Sequence, residues 1–248
     1  MEKREQERTR SLERTHWWFA GMRDVMAALL DRYCDGPVAR ALDAGGGTGG
    51  NFPLLNDRAR AVFAVDLSPV ATGYYHEQTP AVVRASVNSL PFASHSFDLI
   101  ACIDVMGQLP EDEAPGALAE LQRVLRPGGT LLLRTAAYRW LASAHDDIVA
   151  TRCRYTRQQV EARLRQAGLQ PLRLSYVTTI LFPLVVLRRL WLKLPWAGES
   201  DDLVALPGPL NALLRGILRI EAWLIRRVDL PFGLSVLCLA KKPDVAAA

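Results

Sequence analysis

Short apolar runs alternate with amphipathic stretches through the middle of the chain, the pattern of a parallel sheet with helices on both faces. Strands are predicted at 39–44 (ARALDA), 61–67 (AVFAVDL), 81–86 (AVVRAS), 98–104 (DLIACID) and 130–136 (TLLLRTA). An amphipathic helix over 114–125 separates the last two, and Arg126-Pro127-Gly128-Gly129 stops it and turns the chain into the next strand. Past Ala137 a helix over 156–167 ends at Gly168, and a strand over 172–177 follows. An apolar excursion of roughly 55 residues then precedes a last strand at 233–240, far longer than an ordinary loop. Such a length points to a functional or interfacial element.

Within that excursion Leu174 to Leu187 carries no charge, but the run contains Pro183 and is shorter than the ~20 residues a spanning helix needs. Arg188 and Arg189 close it, with Trp191, Lys193 and Trp196 beyond, so residues 181–194 read as a helix lying in a membrane surface. A second helix, 209–228, is expected to turn Leu210, Leu213, Leu214, Ile217, Leu224 and Ile225 to one side and Arg215, Arg219 and Arg226 to the other. The alternatives are core packing, a lid of two helices packed on each other over an apolar acceptor, or a homodimer interface.

Composition sharpens this picture. Of the 248 residues 50% are hydrophobic and 23% charged, enough for a packed core and too apolar for disorder. The net charge of +4 is spread along the chain without basic runs, so nucleic acid is not an expected partner. Cys34, Cys102, Cys153 and Cys238 lie far apart without metal-ligand spacing, which argues against a zinc site and against a disulfide framework. The N-terminal sequence alternates charges and has no apolar core, so the expected location is cytoplasmic.

The chemistry-bearing motif is Asp43-Ala44-Gly45-Gly46-Gly47-Thr48-Gly49-Gly50, glycines that let a backbone turn sharply against a ligand between a buried strand and a helix. Gly45, Gly47 and Gly50 satisfy GxGxxG, and Asp66 follows about 20 residues on, as in a dinucleotide site. That reading would make the protein an NAD-dependent oxidoreductase. Asp43 decides against it, since a carboxylate at the mouth of the loop repels a pyrophosphate and favours an ammonium group. S-adenosylmethionine (SAM) carries one.

The HWWF start (16–19), the HD...RYT middle (145–156) and the DLPFGLS...KKP end (229–243) look like a methyltransferase type 11-like bacterial group, and from Asp43 to Gly129 the chain resembles the class I SAM-dependent methyltransferases. The resemblance rests on Asp43 with Gly45, Gly46, Gly47 and Gly49, on Asp66, on Ser89-Leu90-Pro91-Phe92 with Ser96-Phe97-Asp98, and on Leu125-Arg126-Pro127-Gly128-Gly129. It implies a Rossmann-like doubly wound seven-stranded α/β sheet with its last strand antiparallel. The implied organisation is an N-terminal helical lid (1–38), a SAM-binding core (39–178), a helical insertion (179–232) and a last strand with tail (233–248). It also implies that SAM binds and S-adenosylhomocysteine leaves, with Asp66 on the ribose hydroxyls and Leu67, Ser86, Val87 and Asp104 completing the site. Two positions depart from the pattern: Ser86-Val87 stand where relatives carry an acid for the adenine, and Gly107-Gln108 stand where relatives show Glu-His. These departures motivate a further alternative, a SAM-binding protein without turnover.

The acceptor side is read from chemistry. His16-Trp17-Trp18-Phe19 precedes the first core helix, so Trp17 and Trp18 are candidate acceptor contacts in a lid or, alternatively, staples to the core. Tyr138 to Thr156 leaves the carboxyl edge of the sheet, where open α/β sheets bind ligands. Tyr138 and Arg154 are further candidate acceptor contacts, and His145, beside Asp146, is the candidate general base, with Tyr155 as a second catalytic candidate. The expected reaction is methyl transfer to an apolar small-molecule or lipid-linked acceptor at oxygen.

Overall fold

The computed structural model describes residues 3–13, 15–79, 81–143, 146–147, 149–192 and 206–244. In chain order the elements are α1 (Lys3–Glu13), α2 (Trp17–Tyr33), β1 (Val38–Ala44), α3 (Phe52–Asn56), β2 (Ala59–Asp66), α4 (Pro69–His76), β3 (Val82–Arg84) and β4 (Phe97–Ile103). After them come α5 (Ala114–Val124), β5 (Leu125–Ala136), α6 (Arg157–Gln166), β6 (Gln170–Val177), α7 (Phe182–Leu192), α8 (Gly208–Ile225) and β7 (Ser235–Lys241).

The seven strands form one sheet in the order β3-β2-β1-β4-β5-β7-β6, parallel except for β7, which runs antiparallel to both β5 and β6. Strand order reverses between β1 and β4, so a crevice opens at their carboxyl ends. Every residue of β4 is buried, as expected of a strand covered on both faces. On one face α5 and α6 bury Leu118, Leu121, Val160 and Leu164 against β4, β5 and β7. On the other, α2 and α8 bury Met22, Val25, Met26, Leu29 and Ile225.

Two boundaries and one burial pattern differ from the sequence reading for identifiable reasons. β5 starts at Leu125, directly after α5: Leu125 pairs with Phe97 and Thr130 with Leu99, while Pro127-Gly128-Gly129 is accommodated in a ladder irregularity with Gly128 at φ +72°. The last strand starts only at Ser235 because Gly233 presses on the backbone of Val177, where a Cβ would lie 2.2 Å from the carbonyl oxygen. The third concerns α8, whose apolar residues do not share one side. Leu218, Ala222 and Ile225 are buried together with Glu221, whereas Leu210 and Leu213 face outward.

Glu221 explains that choice of face. Fully buried, it accepts hydrogen bonds from the backbone N–H groups of Thr178, Thr179 (2.8 Å) and Ile180 (3.2 Å). It thereby satisfies the chain where it leaves β6 with Thr178 at φ +63°. The pairing of α8 with α2 is also polar at the rim: Asn211 accepts from the Trp17 N–H at 2.8 Å and donates to the Thr15 carbonyl at 2.9 Å, and Arg215 and Arg219 meet Asp24. α8 is therefore part of the layer covering the sheet. The sequence reading of α7 as a helix stands over Phe182–Leu192, while Lys193 and Trp196 lie outside the described residues.

Candidate functional site

β1 delivers the glycine loop to the crevice. Gly45, Gly47 and Gly49 all take left-handed φ values, and at Gly45 a Cβ would stand 2.2 Å from Val105 Cγ2, so the close approach of the loop to the end of β4 demands glycine. The Gly45 and Gly46 N–H groups donate to the Val65 carbonyl at 2.7 and 3.1 Å, which ties the loop to β2.

Asp43 lies at the base of this loop, 1% exposed, and its carboxylate accepts a 3.1 Å hydrogen bond from the Tyr75 hydroxyl of α4. Burial, against the lowering effect of that hydrogen bond, pushes Asp43 up to about 7, with Asp66 and Glu13 adding like charge. Such a carboxylate favours a cationic group. Asp66, at the end of β2, accepts from the Gly47 N–H at 2.9 Å and the Ser68 N–H at 2.8 Å, while Ser68 caps α4. An ionised carboxylate retains acceptor sites beyond two such bonds, so Asp66 can serve a ribose. Leu67 beside it is 65% exposed, while Val87 is buried and the Ser86 hydroxyl accepts from the Asn88 N–H at 3.2 Å. These residues follow the carboxyl ends of β2 and β3, a stretch suited to the adenosine half of SAM.

A cavity of about 600 Å³ starts at Gly45, Gly46 and Gly47 and runs away from Asp66 toward α2, α7 and α8. Trp17, Trp18, Met22 and Met26 of α2 line one side, Leu184 and Val185 of α7 another, with Leu181, Leu206 and Leu214 adding apolar wall. The polar lining includes Asp104 and Asp146, each held by a buried arginine. Arg134 clamps Asp104 through two bonds, Nε to Oδ1 at 3.1 Å and Nη2 to Oδ2, and lies 6.0 Å below the Trp18 ring. Arg154 clamps Asp146 in the same two-pronged way, Nε to Oδ2 at 2.7 Å, and donates to the Ala137 carbonyl at 2.9 Å.

The site residues expected from the sequence thus divide. Gly45, Gly46, Gly47, Asp104, Trp17, Trp18 and Arg154 line one cavity, and Asp43, Gly49, Asp66, Leu67, Ser86 and Val87 flank the glycine loop or follow the adjoining strand ends. Tyr155 does not reach the cavity. It forms a bridge to Ala137 in extended backbone, so Arg154 and Tyr155 point to opposite sides, and the Tyr155 ring enters the core beside Leu118, Leu133 and Val160. Burial pushes its phenol up to about 12, which suits packing rather than proton transfer. Tyr138, also outside the cavity lining, stacks on Tyr176 at 5.1 Å. His145 lies outside the described residues, and its expected partner Asp146 is engaged by Arg154.

Glu13 and Arg23 are among the lining residues that the sequence did not single out. Glu13, in the charged helix α1, turns its carboxyl onto the glycine loop: a Cβ at Gly50 would lie 2.5 Å from it. Burial raises its pKa. Arg23 of α2 bridges the two, donating to the Gly50 carbonyl at 3.2 Å and the Glu13 carbonyl at 2.8 Å. A run of alternating charges resembles a solvated face, and nothing in its spacing marks the one residue that turns inward. Among the described residues no group of His, Cys, Asp and Glu could hold a metal ion.

Comparison with known proteins places this geometry. Residues 42–133 match the family described as Methyltransferase domain. Over 117 residues the chain is 32% identical to a malonyl-[acyl-carrier protein] O-methyltransferase of Serratia marcescens, covering 46% of this chain and 45% of that one. It is 35% identical over 108 residues to a demethylmenaquinone methyltransferase of Beutenbergia cavernae, covering 43% and 44%. The chain thus spans less than half the length of these relatives. The whole fold is similar to the putative methyltransferase solved with the Trm112 activator of Haloferax volcanii (TM-score 0.62, 17% identity, 98% and 96% covered). It is also similar to geranyl diphosphate C-methyltransferase of Streptomyces coelicolor (TM-score 0.57, 17% identity, 86% and 75% covered). Residues 42–133 thus match a methyltransferase domain, and the seven-stranded sheet with antiparallel β7 and the glycine loop between Asp43 and Asp66 are those of a class I SAM-dependent methyltransferase, with SAM as the cofactor.

Proposed function

We propose that the protein transfers a methyl group from SAM to oxygen of an apolar small-molecule or lipid-linked acceptor. The observation that carries this reading is the single cavity joining the glycine loop to a wall of Trp, Met and Leu side chains on α2, α7 and α8. SAM supplies a methyl group on a sulfonium, whose in-line displacement needs chiefly alignment of donor and acceptor. Asp43 and Asp66 provide the carboxylates for its ammonium and ribose, and Glu13 closes the loop from above. Trp17 and Trp18 cover the chamber and exclude water, which strengthens the fixed charges inside it. The clamped pairs Arg134–Asp104 and Arg154–Asp146 offer the polar contacts that orient an acceptor head, and His145 is the proposed base for a hydroxyl acceptor. The names of the relatives, with their carrier-linked and quinone acceptors, support an acceptor of this class.

Transfer of label from methyl-labelled SAM, in the presence of bacterial extracts separated into organic and aqueous fractions, tests the proposal. Label appearing in an organic-phase product is expected. Label confined to water-soluble products would overturn the acceptor class, and absence of S-adenosylhomocysteine binding in calorimetry would overturn the cofactor site itself.

A further inference from the structure

We infer that the outer faces of α7 and α8 dock the protein on an anionic membrane surface, so that the cavity opens toward lipid. The inference rests on the proposed reading in one respect: it assigns the side from which an apolar acceptor arrives. α7 lies loosely against the rest of the fold and leaves Leu184, Leu187, Leu190 and Trp191 between 54% and 65% exposed. On α8 the inner row packs on α2, while Leu210, Leu213, Ile220 and Trp223 face outward, with Ile217 and Leu224 half-buried between them. With Ile217 included, this outer row is spaced by three and four residues, which makes it a second apolar stripe on a helix whose first stripe is already buried. The two helices converge on the cavity, since Leu184 and Leu214 both line it. Leu184 is at once lining and 61% exposed, so the mouth is continuous with the outer apolar surface. A monomeric protein rarely leaves large apolar side chains so grouped without a partner.

Charge selects the partner. From residue 182 to 228 seven basic residues meet four acids, and the only acid within α7 or α8 is Glu221, which is fully buried. Arg188, Arg226 and Arg227 border the apolar rows with no exposed carboxylate on either helix, beside Arg189, which donates to the Leu141 carbonyl, and Arg219, which meets Asp24 of α2. Arg227 stacks on Trp223 at 4.2 Å, setting a cation and an indole side by side. This composition, leucines flanked by tryptophan and arginine, matches the boundary between acyl chains and anionic headgroups. A second copy of the chain is disfavoured, because a two-fold contact through this face would oppose arginine to arginine. No helix among the described residues is long and apolar enough to cross a membrane, so the contact is a surface one.

Sedimentation of the full chain with phosphatidylcholine vesicles, with and without phosphatidylglycerol, at low and high salt, tests the inference. Cosedimentation with the anionic vesicles at low salt, lost at high salt, is expected. Leu187→Asp and Trp223→Ser, both at exposed positions, should each weaken it roughly tenfold or more while leaving the thermal unfolding midpoint and S-adenosylhomocysteine binding intact. Protein that binds S-adenosylhomocysteine yet stays in the supernatant at low salt would overturn the docking face and leave the methyltransferase reading standing. Vesicle binding that neither substitution alters would overturn it too. So would a dimer, or a complex with an acidic protein, that depends on Leu187 and Trp223 in the absence of any vesicle binding.

Discussion

Asp43 offers the sharpest test, because its position makes opposite demands on stability and on binding. Its carboxyl is pushed from an ordinary 3.8 up to about 7 by burial at the base of the glycine loop. A carboxyl whose folded value exceeds its unfolded one favours the fold only while protonated. Its contribution is complete below the unfolded value near 3.8 and is lost as pH rises through the folded value near 7. At 1.36 kcal/mol per unit, a shift of this size costs the ligand-free protein about 4 kcal/mol at pH 8 and about 1.5 kcal/mol at pH 5. Asp43→Asn removes the titration while its side-chain carbonyl can still accept from Tyr75. The variant should therefore be more stable than the wild type at pH 8, by an amount about 2 to 3 kcal/mol greater than at pH 5, or roughly 5 to 10 °C in unfolding midpoint. It should also bind S-adenosylhomocysteine more weakly, since the neutral amide no longer attracts the ammonium. Thermal unfolding of both proteins across this pH range, with calorimetry at pH 8, reads both effects. A stability difference that does not change with pH would refute the argument, showing that Asp43 is not held in the ionised form at the expense of the fold.

Three further outcomes follow from single side chains. Asp66→Ala should weaken S-adenosylhomocysteine binding roughly tenfold or more in calorimetric titration, because the charge-assisted bonds to two ribose hydroxyls are lost; unchanged affinity would misplace the cofactor. Glu221→Ala strands the N–H groups of Thr178, Thr179 and Ile180 in the interior and should lower stability by about 3 kcal/mol or more in urea unfolding, whereas a loss below about 1 kcal/mol would mean that water takes its place. His145→Gln should remove the acid limb of the pH–rate profile while cofactor binding stays normal, and turnover at the wild-type rate would assign catalysis to positioning alone.

What the sequence disclosed follows the physics of each element. β4 and the later halves of β1 and β2 are largely buried in a parallel sheet, and such segments read as short apolar runs that need no tertiary knowledge to find. The glycine loop was legible because left-handed turns leave glycines as their record. Tyr155 and Tyr138 were less tractable: which side of an extended segment meets the cavity depends on register, and the Ala137–Tyr155 bridge assigns the cavity to Arg154. α8 was hidden more deeply, since a helix apolar on two faces gives no single direction for burial. Its one acid, Glu221, is as completely buried as Leu218 and Ile225.

The pairing of α2 with α8 links the two ends of the chain to one purpose. Trp17 and Trp18 sit on the cavity from α2, and the backbone of Trp17 is fixed by Asn211 of α8, while Asp24 about two turns further on is held by Arg215 and Arg219. The aromatic wall of the chamber is therefore positioned by the same helix that carries the outward apolar stripe. On the opposite side of Trp18, Arg134 connects the indole to Asp104 at the end of β4, beside the glycine loop. A displacement of α8 at a lipid surface would act directly on Trp17, and through the helix on Trp18, Arg134 and Asp104. The outward apolar stripe of α8 and the end of β4 beside the glycine loop are in this way joined through one continuous set of packed side chains.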